Sequence, residues 1–381
     1  MSRTTGATTK MVLLIGNYAA DQQQSMQRFS KMMLEGLATA GIAAELIAPK
    51  PRLGTFFRAG SFIGKWLAYL DKFIIFPRQL RAATSGGFSV AHICDHSNAM
   101  YSRWLRPMPV VVTCHDLLAV RGALGELTDC PASVTGRFLQ RWIVRGLRRA
   151  QVLACVSRAT LADAERLVPG PELRFVPVGL NYPYRRLSPL QIAERLSRIE
   201  GLDFSLPFAL HVGSNLRRKN RDGVIRIFAR TASRWDGLLI FAGEKLTPEL
   251  RSLGESLGVS GRIVEVGAPD NSLLEALYNR AVALLYPSRF EGFGWPIIEA
   301  QACGCPVLCS DRAPMNEVAG SAGLTHPLED EEGFAADLLR LANPAEREIW
   351  SAKSLSHAEA FSAERMVAEY IQIYREFAPQ L

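Results

Sequence analysis

A glycine-rich loop between an apolar strand and a helix gives the clearest chemical signal in this sequence. The apolar run Val282–Tyr286 ends at Pro287, and Gly292 and Gly294 follow before an apolar segment that starts at Pro296. Proline is favoured at the first position of a helix, and glycines leave backbone N–H groups uncovered. Because a helix N-terminus also carries partial positive charge, the pattern predicts a phosphate-binding loop.

Two glutamates accompany this loop. Glu291 lies inside it, and Glu299 lies in the first turn of the helix that the pattern predicts. Their carboxylates can accept hydrogen bonds from the hydroxyls of a sugar. The competing interpretation is a surface glutamate in the loop and a second glutamate that is favoured by the helix dipole.

Arg218 and Lys219 form a pair of adjacent cations after a predicted strand that ends near Gly213. Two cations at such a turn suit a diphosphate leaving group. A solvated loop is the alternative, and the spacing of these residues leaves both interpretations open.

In the N-terminal half, the strand Val110–Cys114 places His115 and Asp116 at its C-terminal end. Open α/β sheets bind ligands at that edge, which favours a functional role over a structural one for this histidine. His92 and His96 approach a similar edge and are secondary candidates.

The loop after the first strand supplies polar groups that could contact hydroxyls of an acceptor or a sugar. They are Asn17, Asp21, Gln24 and Ser25. The same loop lacks the GxGxxG spacing of dinucleotide-binding folds, which counts against an oxidoreductase.

Short apolar runs alternate with helical or loop segments through the whole chain, in two series. The strand candidates of the first series are Met11–Ile15, Ala44–Ala48, Val90–Cys94, Val110–Cys114, Val152–Val156 and Arg174–Val178. Those of the second series are Phe208–Val212, Leu238–Ala242, Ile263–Val266, Val282–Tyr286 and Val307–Ser310. Such alternation predicts an α/β protein with parallel sheets, built as two Rossmann-like domains facing across a cleft.

A chain of 381 residues is too long for one core and suits two domains. Turn-forming residues between Gly179 and Pro207 mark the boundary. We expect an N-terminal domain over 1–185, a linker over 186–206, a C-terminal domain over 207–362, and a C-terminal helix over 363–381 that crosses back to the N-terminal domain.

The net charge of +7 favours anionic partners but does not choose among nucleotides, membrane surfaces and nucleic acids. The seven cysteines are an odd number scattered mainly through apolar runs, so we expect reduced thiols. Cys303, Cys305 and Cys309 lack the spacing of a zinc site. No apolar run is long enough to span a bilayer, which predicts a cytoplasmic protein.

Two further stretches are candidates for contact with a membrane. Four arginines recur at helical spacing on one predicted face, with Arg148 beside them: Arg137, Arg141, Arg145 and Arg149. A solvated face is the default interpretation, and a surface for anionic lipid is the alternative. The aromatic-rich segment 55–76 is either core or an element on the membrane or acceptor side, and its lack of a polar face favours core.

The run from Tyr286 to Val307, YPSRFEGFGWPIIEAQACGCPV, resembles the Glu-x7-Glu signature of the retaining GT-B glycosyltransferases of family four, also called glycosyl transferases group 1. Many members carry Gly-Arg where this chain has Gly213-Ser214, and Gly-Gly in the first loop. The resemblance covers nearly all of the second domain in the family's order, through His211–Asn220, Phe241–Glu244, Val266–Asp270, Leu277–Tyr278 and Glu317–Gly320.

This resemblance implies that the domain over 207–362 binds the donor and that the domain over 1–185 lies on the acceptor side. Glu291 would lie by the donor sugar, and Glu299 would bind the ribose hydroxyls. Arg218 and Lys219 would neutralise the departing diphosphate. Further donor contacts would come from Gly213, Ser214, Gly292, Phe293 and Gly294, and the sugar would be contacted from across the cleft by His115.

The resemblance also implies transfer of a sugar from a nucleoside diphosphate sugar to an acceptor hydroxyl with retention, in glycan, polysaccharide or glycolipid synthesis. The expected partners are this donor and a glycan, lipid-linked or small-molecule acceptor, with peripheral contact at the inner membrane face as a further candidate. No cofactor or metal is expected, because the chain has no Asp-x-Asp pair, and no basic-aromatic motif indicates nucleic acid. The alternatives are a GT-B epimerase or phosphorylase, or an inactive nucleotide-sugar-binding module.

Overall fold

The computed structural model describes four stretches of the chain, residues 11–21, 23–52, 67–199 and 204–381. These residues form two compact units. The first unit comprises the chain up to Asn181 together with Ala363–Leu381, and the second comprises Tyr182–Ser362.

The first unit is built on a six-stranded sheet in which all pairings are parallel. Its strands are β1 (Met11–Ile15), β2 (Ala44–Ile47), β3 (Phe88–Ile93), β4 (Val110–Cys114), β5 (Val152–Cys155) and β6 (Glu172–Phe175). They lie in the order β2-β1-β3-β4-β5-β6. The helices up to Asn181 include α1 (Gln24–Thr39), α2 (Phe76–Ala83), α3 (Leu118–Ala123), α4 (Val134–Leu147) and α5 (Arg158–Leu167).

Burial explains why these strands are visible in the sequence. Every residue of β4 and β5 is buried, and so is Val12–Ile15 of β1. A parallel sheet covered by helices buries both of its faces, so its strands appear as continuous apolar runs. The aromatic segment 55–76 is described only from residue 67. There Phe76 is buried and Phe73 packs on Trp142, whereas Tyr69, Leu70 and Ile74 are exposed, so only part of the described stretch is core.

The second unit repeats this architecture on another six-stranded parallel sheet. Its strands are β7 (Phe208–Gly213), β8 (Leu238–Gly243), β9 (Ile263–Gly267), β10 (Ala283–Tyr286), β11 (Val307–Ser310) and β12 (Gly323–His326). They lie in the order β12-β11-β10-β7-β8-β9. Its helices include α6 (Pro189–Leu196), α7 (Arg221–Thr231), α8 (Pro248–Ser256), α9 (Asn271–Arg280), α10 (Trp295–Ala302), α11 (Met315–Ala319), α12 (Glu331–Leu341) and α13 (Pro344–Ala358).

Two parts of the second unit differ from the sequence expectation. The sequence does not predict β12, because this short strand is only half-buried and supplies no continuous apolar run. The described part of 186–206, expected as a linker, contains α6. Arg195 on this helix pairs with Glu275 on α9, and Leu187 N donates to Asn279 Oδ1 at 2.8 Å. The segment is therefore part of the second unit and not a spacer.

The last helix, α14 (Ala363–Phe377), belongs to the first unit and is joined to its sheet by buried polar contacts. His92 Nδ1 lies 2.6 Å from the hydroxyl of Tyr374, and His92 Nε2 lies 2.8 Å from Thr113 Oγ1. The Thr113 hydroxyl also lies 2.6 Å from that of Tyr370. Both ring nitrogens of His92 are thus used internally, which makes this secondary candidate a structural residue.

The strand order reverses between β1 and β3 in the first unit and between β7 and β10 in the second. Ligands of open α/β sheets bind beyond the carboxyl ends of the strands at such a reversal. A ligand site is therefore expected in the loops after these four strands.

The buried histidines make the stability of the protein depend on pH. Burial lowers the pKa of His92 and of His211 from 6.5 to about 3. Below the ordinary pKa the unfolded chain binds a proton that the folded chain excludes, so the free energy of unfolding falls as the pH falls. We expect a loss of about 1.4 kcal/mol per pH unit from each residue below pH 6.5.

Guanidinium denaturation at pH 7, 6 and 5 measures this loss, in a range where ordinary carboxyl groups contribute little. The His92→Gln variant, whose side chain does not titrate, should lose the contribution of His92, about 1.4 kcal/mol per pH unit. A free energy of unfolding that stays constant from pH 7 to pH 5 would contradict the assignment.

Candidate active site

The two loops at the strand reversal of the second unit are held together by hydrogen bonds. Arg289 N donates to Arg218 O at 2.7 Å, and Asn220 Nδ2 donates to Pro287 O at 3.0 Å. Arg289 Nη2 donates in turn to Asn220 Oδ1 at 2.8 Å. Asn220 has φ 55, a left-handed conformation that asparagine tolerates better than most residues. The loop after β7 and the loop after β10 therefore form one structure.

A cluster of charges lies between these loops. Glu291 accepts a hydrogen bond from Arg218, and its Oε1 lies 2.7 Å from Lys219 Nζ. The hydroxyl of Tyr286 donates to Glu291 Oε1 at 2.9 Å and accepts from Lys219 Nζ at 2.7 Å. Lys219 Nζ also lies 4.8 Å from the centroid of the Tyr286 ring, within the range of a cation–π contact. Lys219 and Glu291 thus share the Tyr286 hydroxyl, and Arg218 contacts the same carboxylate.

Burial and charge act in opposite directions on this cluster. The side chain of Glu291 is only 7% exposed, and burial alone would raise its pKa. Lys219 and Arg218 outweigh burial and hold the pKa of Glu291 at about 2, so this carboxylate is ionised near neutral pH. Burial also lowers the pKa of Lys219, against the opposing effect of Glu291. Two cations and one carboxylate give the cluster an excess of one positive charge when all three are ionised.

The glycine-rich loop leads from this cluster into α10. Gly294 is the residue before the helix, with φ 105, and no side chain caps the N-terminus of the helix. A φ of this size favours glycine. Pro296 is the second residue of α10 and not the first, because the helix starts at Trp295. An uncapped N-terminus beside two cations is suited to an anion.

Glu299 differs from the sequence expectation. It is the fifth residue of α10, one position later than predicted, and is 4% exposed. The hydroxyl of Tyr278, which is fully buried, donates to Glu299 Oε2 at 2.9 Å. The early start of the helix at Trp295 moves Glu299 out of the first turn. The carboxylate therefore has a structural partner in addition to any ligand.

The remaining predicted donor residues lie around the same loops. Gly213 ends β7, and its carbonyl accepts from Arg221 Nη2 at 3.0 Å. Ser214 and Gly292 are partly exposed in the two loops. The Phe293 side chain packs edge-on against Phe361 and is 8% exposed, so it contributes to packing.

Sequence reasoning gave no site role to three residues that organise this region: Tyr286, Asn220 and Arg221. Tyr286 is the last residue of a buried strand, and apolar patterning hides its hydroxyl. Arg221 is 3% exposed, and its guanidinium donates to the carbonyls of Gly213 and Glu244. A tyrosine at the end of a strand, directly before a loop with charged residues, is the signal that could have identified Tyr286.

In the first unit, Asn17 and Asp95 meet at the strand reversal. Asn17 lies after β1, is 5% exposed and donates through Nδ2 to Asp95 Oδ2. Asp95, which follows β3, also accepts from Ser97 N at 2.9 Å, and His96 Nδ1 lies 3.3 Å from Asp95 Oδ1. Asp95 was not among the predicted site residues, although it lies between the candidates His92 and His96. This carboxylate connects the loops after β1 and β3.

His115 lies beside this group, at the end of β4. Its Nε2 is 2.9 Å from the carbonyl of Cys94, which can only accept, so Nε2 carries the hydrogen and Nδ1 is the acceptor in the neutral ring. Phe29 packs edge-on against the imidazole at 4.9 Å. Burial lowers the pKa of His115, although Asp95 opposes the shift. The ring is therefore neutral near neutral pH.

The other predicted contacts of the first unit have less prominent positions. Asp116 Oδ1 accepts from Leu118 N at 3.0 Å and so stabilises the start of α3. Gln24 and Ser25 are exposed in the first turn of α1. Asp21 pairs with Lys72. For Asp116, Gln24 and Ser25, the only feature that suggests contact with a ligand is their location after β4 and β1.

All seven cysteines are free, and six of them are buried. Within the described residues, no group of three or more histidine, cysteine, aspartate or glutamate side chains is arranged to hold a metal ion.

Two family models match the chain, one in each unit. The model described as glycosyl transferases group 1 matches residues 207–343. The model described as glycosyl transferase 4-like domain matches residues 26–179.

Characterised relatives are similar to parts of the chain. An O-antigen chain mannosyltransferase B from Escherichia coli is 31% identical over 249 residues, which cover 63% of this chain and 64% of that protein. A D-inositol 3-phosphate glycosyltransferase from Acidothermus cellulolyticus is 28% identical over 295 residues, covering 72% of this chain and 63% of that protein. The chain thus aligns with less than two thirds of the length of either relative.

Solved structures are similar over almost the whole chain. A sucrose-phosphate synthase from Thermosynechococcus elongatus matches with a TM-score of 0.76 and 20% identity, covering 98% of this chain and 100% of that one. The glycosyltransferase WaaG, described as involved in lipopolysaccharide biosynthesis, matches with a TM-score of 0.71 and 16% identity, covering 96% and 99%. Anabaena HepE in complex with UDP and glucose matches with a TM-score of 0.72 and 16% identity, covering 96% and 100%. At this identity the likeness concerns the fold.

The buried pair of Glu299 and Tyr278 gives a testable expectation. Glu299→Ala removes the acceptor of a buried hydroxyl and should lower the free energy of unfolding by about 1 to 3 kcal/mol. Glu299→Gln keeps an acceptor oxygen and should lower it less. Chemical denaturation measures both, with Glu359→Ala, at an exposed position of the same unit, as the control. Wild-type stability of Glu299→Ala would contradict the contact.

Proposed function

The chain belongs to the glycosyl transferases group 1 and has the fold of the GT-B glycosyltransferases, and on this premise we propose that it transfers a sugar from a nucleoside diphosphate sugar to an acceptor hydroxyl. The reaction proceeds with retention of anomeric configuration. The observation that carries the proposal is the cluster of Arg218, Lys219 and Glu291 beside the N-terminus of α10.

The cluster supports this proposal because its chemistry matches a diphosphate. The diphosphate gains negative charge as its bond to the sugar breaks, and cations already in place stabilise that charge without having to reorganise. Tyr286 and Glu291 hold Lys219 in position, and Glu291 and the carbonyl of Phe290 hold Arg218. These contacts limit the motion of both cations before a ligand arrives.

Glu291 and Glu299 take different roles in this proposal. Glu291 contacts the donor sugar and keeps the two cations from repelling each other. Glu299 accepts hydrogen bonds from the ribose hydroxyls while Tyr278 occupies one of its lone pairs, since a carboxylate has about four such sites. The backbone of Gly292–Gly294 and the end of β7 at Gly213 and Ser214 complete the donor site.

The transfer step requires no enzyme nucleophile in this proposal. The acceptor oxygen bonds to the anomeric carbon on the face from which the diphosphate leaves, and the C–O bond to the diphosphate breaks. The acceptor proton passes to the departing phosphate oxygen. His115, as a neutral imidazole, binds the sugar through Nδ1 and needs no proton of its own. No divalent ion takes part, so a chelator should leave the rate unchanged.

Features of the relatives suggest the classes of donor and acceptor. One structural neighbour binds UDP and glucose, and one relative is an O-antigen chain mannosyltransferase. We therefore propose a nucleoside diphosphate hexose as donor and a glycan or lipid-linked glycan as acceptor, in polysaccharide or glycolipid synthesis at the cytoplasmic side of the membrane.

Incubation with a panel of nucleoside diphosphate sugars tests the proposal, with and without candidate acceptors. Release of nucleoside diphosphate only when an acceptor is present, together with an α-linked product from an α-linked donor, is the expected result. Isomerised donor without an acceptor would indicate an epimerase. Sugar phosphate formed with inorganic phosphate would indicate a phosphorylase. Binding without turnover across the panel would indicate an inactive binding module.

Lys219→Ala should lower turnover more than donor affinity, because the cation matters most when charge develops on the diphosphate. We expect a fall in kcat of about a hundredfold and a rise in the donor dissociation constant of about tenfold. Lys245→Ala, which removes an exposed lysine after β8, is the matched control and should change neither. Full turnover of Lys219→Ala at saturating donor would refute the role of this cation.

His115→Ala should separate binding from catalysis. His115 belongs to the first unit, whereas every residue assigned here to the nucleotide belongs to the second. Calorimetry should therefore give near-normal affinity for the nucleoside diphosphate, while the transfer rate falls by about a hundredfold or more.

His115→Gln distinguishes a catalytic from a structural role. Glutamine keeps an N–H group that can donate to the carbonyl of Cys94, so it should restore a purely structural contact. Rates that stay low in both variants agree with sugar contact through Nδ1. Wild-type turnover in His115→Ala would exclude that role.

A further inference from the structure

Helix α4 (Val134–Leu147) presents a face to solvent that is both basic and apolar. Val134 is 83% exposed and Phe138 is 67% exposed, both unusual values for large apolar side chains. Arg137, Arg141 and Arg145 are exposed as well. At about 100° per residue, these five side chains fall within an arc of about 100°. The exposed face is therefore one stripe along a helix about 21 Å long.

Packing on the opposite side fixes the orientation of this stripe. Ile143, Gly146 and Leu147 are buried. A Cβ atom added at Gly146 would lie 2.3 Å from the carbonyl oxygen of Ala99, so the helix backbone lies directly on the 3₁₀ turn His96–Trp104. No rotation of α4 could bury Phe138 without breaking this contact.

The arginines of the stripe lack carboxylate partners in the part of the chain that the structure describes. None of Arg137, Arg141 and Arg145 lies within ion-pair distance of a described carboxylate, and α4 itself contains no aspartate or glutamate. Some other exposed arginines of this unit are paired, as Arg166 is with Glu126 and Arg174 with Glu376. The positive charge of the stripe is therefore not neutralised internally.

Two more apolar side chains are exposed in the loop between α3 and α4. Leu127 is 92% exposed and Leu124 is 64% exposed. The nearby carboxylate of Glu126 is neutralised by Arg121 at 2.8 Å and by Arg166 at 2.6 Å. The loop thus adds exposed apolar side chains before α4, and its Glu126 carboxylate is compensated by the two arginines.

We propose that this surface, defined as the exposed face of α4 with Leu124 and Leu127, binds the anionic surface of a lipid bilayer. The arginines contact lipid phosphates, and the apolar side chains enter the boundary between headgroups and acyl chains. None of the helices in the described ranges is long and apolar enough to cross a bilayer, so the contact is peripheral. Duplex nucleic acid would satisfy the arginines but would leave four apolar side chains in water, which favours lipid.

Co-sedimentation with vesicles tests the proposal without reference to sugar transfer. The wild-type chain should bind vesicles of equimolar phosphatidylglycerol and phosphatidylcholine and should not bind phosphatidylcholine alone. Each arginine near an anionic surface contributes roughly fivefold to partitioning, so the triple variant Arg137→Gln, Arg141→Gln, Arg145→Gln should bind about a hundredfold more weakly. Phe138→Ser should weaken the part of the binding that persists at high salt.

A matched control removes the same charge elsewhere. The triple variant Arg186→Gln, Arg198→Gln, Arg312→Gln replaces exposed arginines of the second unit that pair with exposed carboxylates, and it should bind as the wild type does. Circular dichroism and thermal unfolding establish that each variant is folded. Unchanged binding of the α4 triple variant or of Phe138→Ser would overturn the proposal. Loss of binding in the control, or stripe-dependent binding of duplex DNA that vesicles do not displace, would overturn it as well.

Discussion

The pairing of Glu291 with Lys219 and Arg218 is the interaction on which the candidate site depends. A buried carboxylate is costly unless charged partners and hydrogen bonds compensate its lost hydration, and here two cations and the Tyr286 hydroxyl do so. Because the cations follow β7 and the carboxylate follows β10, the pairing also fixes two loops that are distant in sequence. A buried ion pair contributes little net stability, so its main effect is to fix the positions of these two loops and of the three charged side chains.

Much of the fold and part of the site could be predicted from the sequence, for physical reasons. Strands buried on both faces must be apolar throughout, which made β4, β5 and β10 visible. The glycine-rich loop before α10 was visible because a left-handed φ, as at Gly294, favours glycine. The Arg218–Lys219 pair and Glu291 were predicted from separate parts of the sequence, and the structure brings all three into contact.

Other features depend on tertiary contacts that a linear pattern does not contain. The role of Tyr286 arises from the approach of Lys219 and Glu291, and Asp95 matters because Asn17 comes from another strand. Glu299 was misplaced because a one-residue change in the start of a helix moves a side chain into another turn. The sequence ranked His92 below His115 but could not identify it as structural, since only the position of α14 shows that its ring nitrogens are occupied.

A crystal structure of the chain with a bound nucleoside diphosphate tests the central claim most directly, namely that the Arg218, Lys219 and Glu291 cluster forms the diphosphate site. The account predicts the terminal phosphate within hydrogen-bond distance of Lys219 Nζ and the Arg218 guanidinium, with Glu291 still beside both cations. A diphosphate bound elsewhere on the chain, with the three side chains paired only to one another, would contradict it.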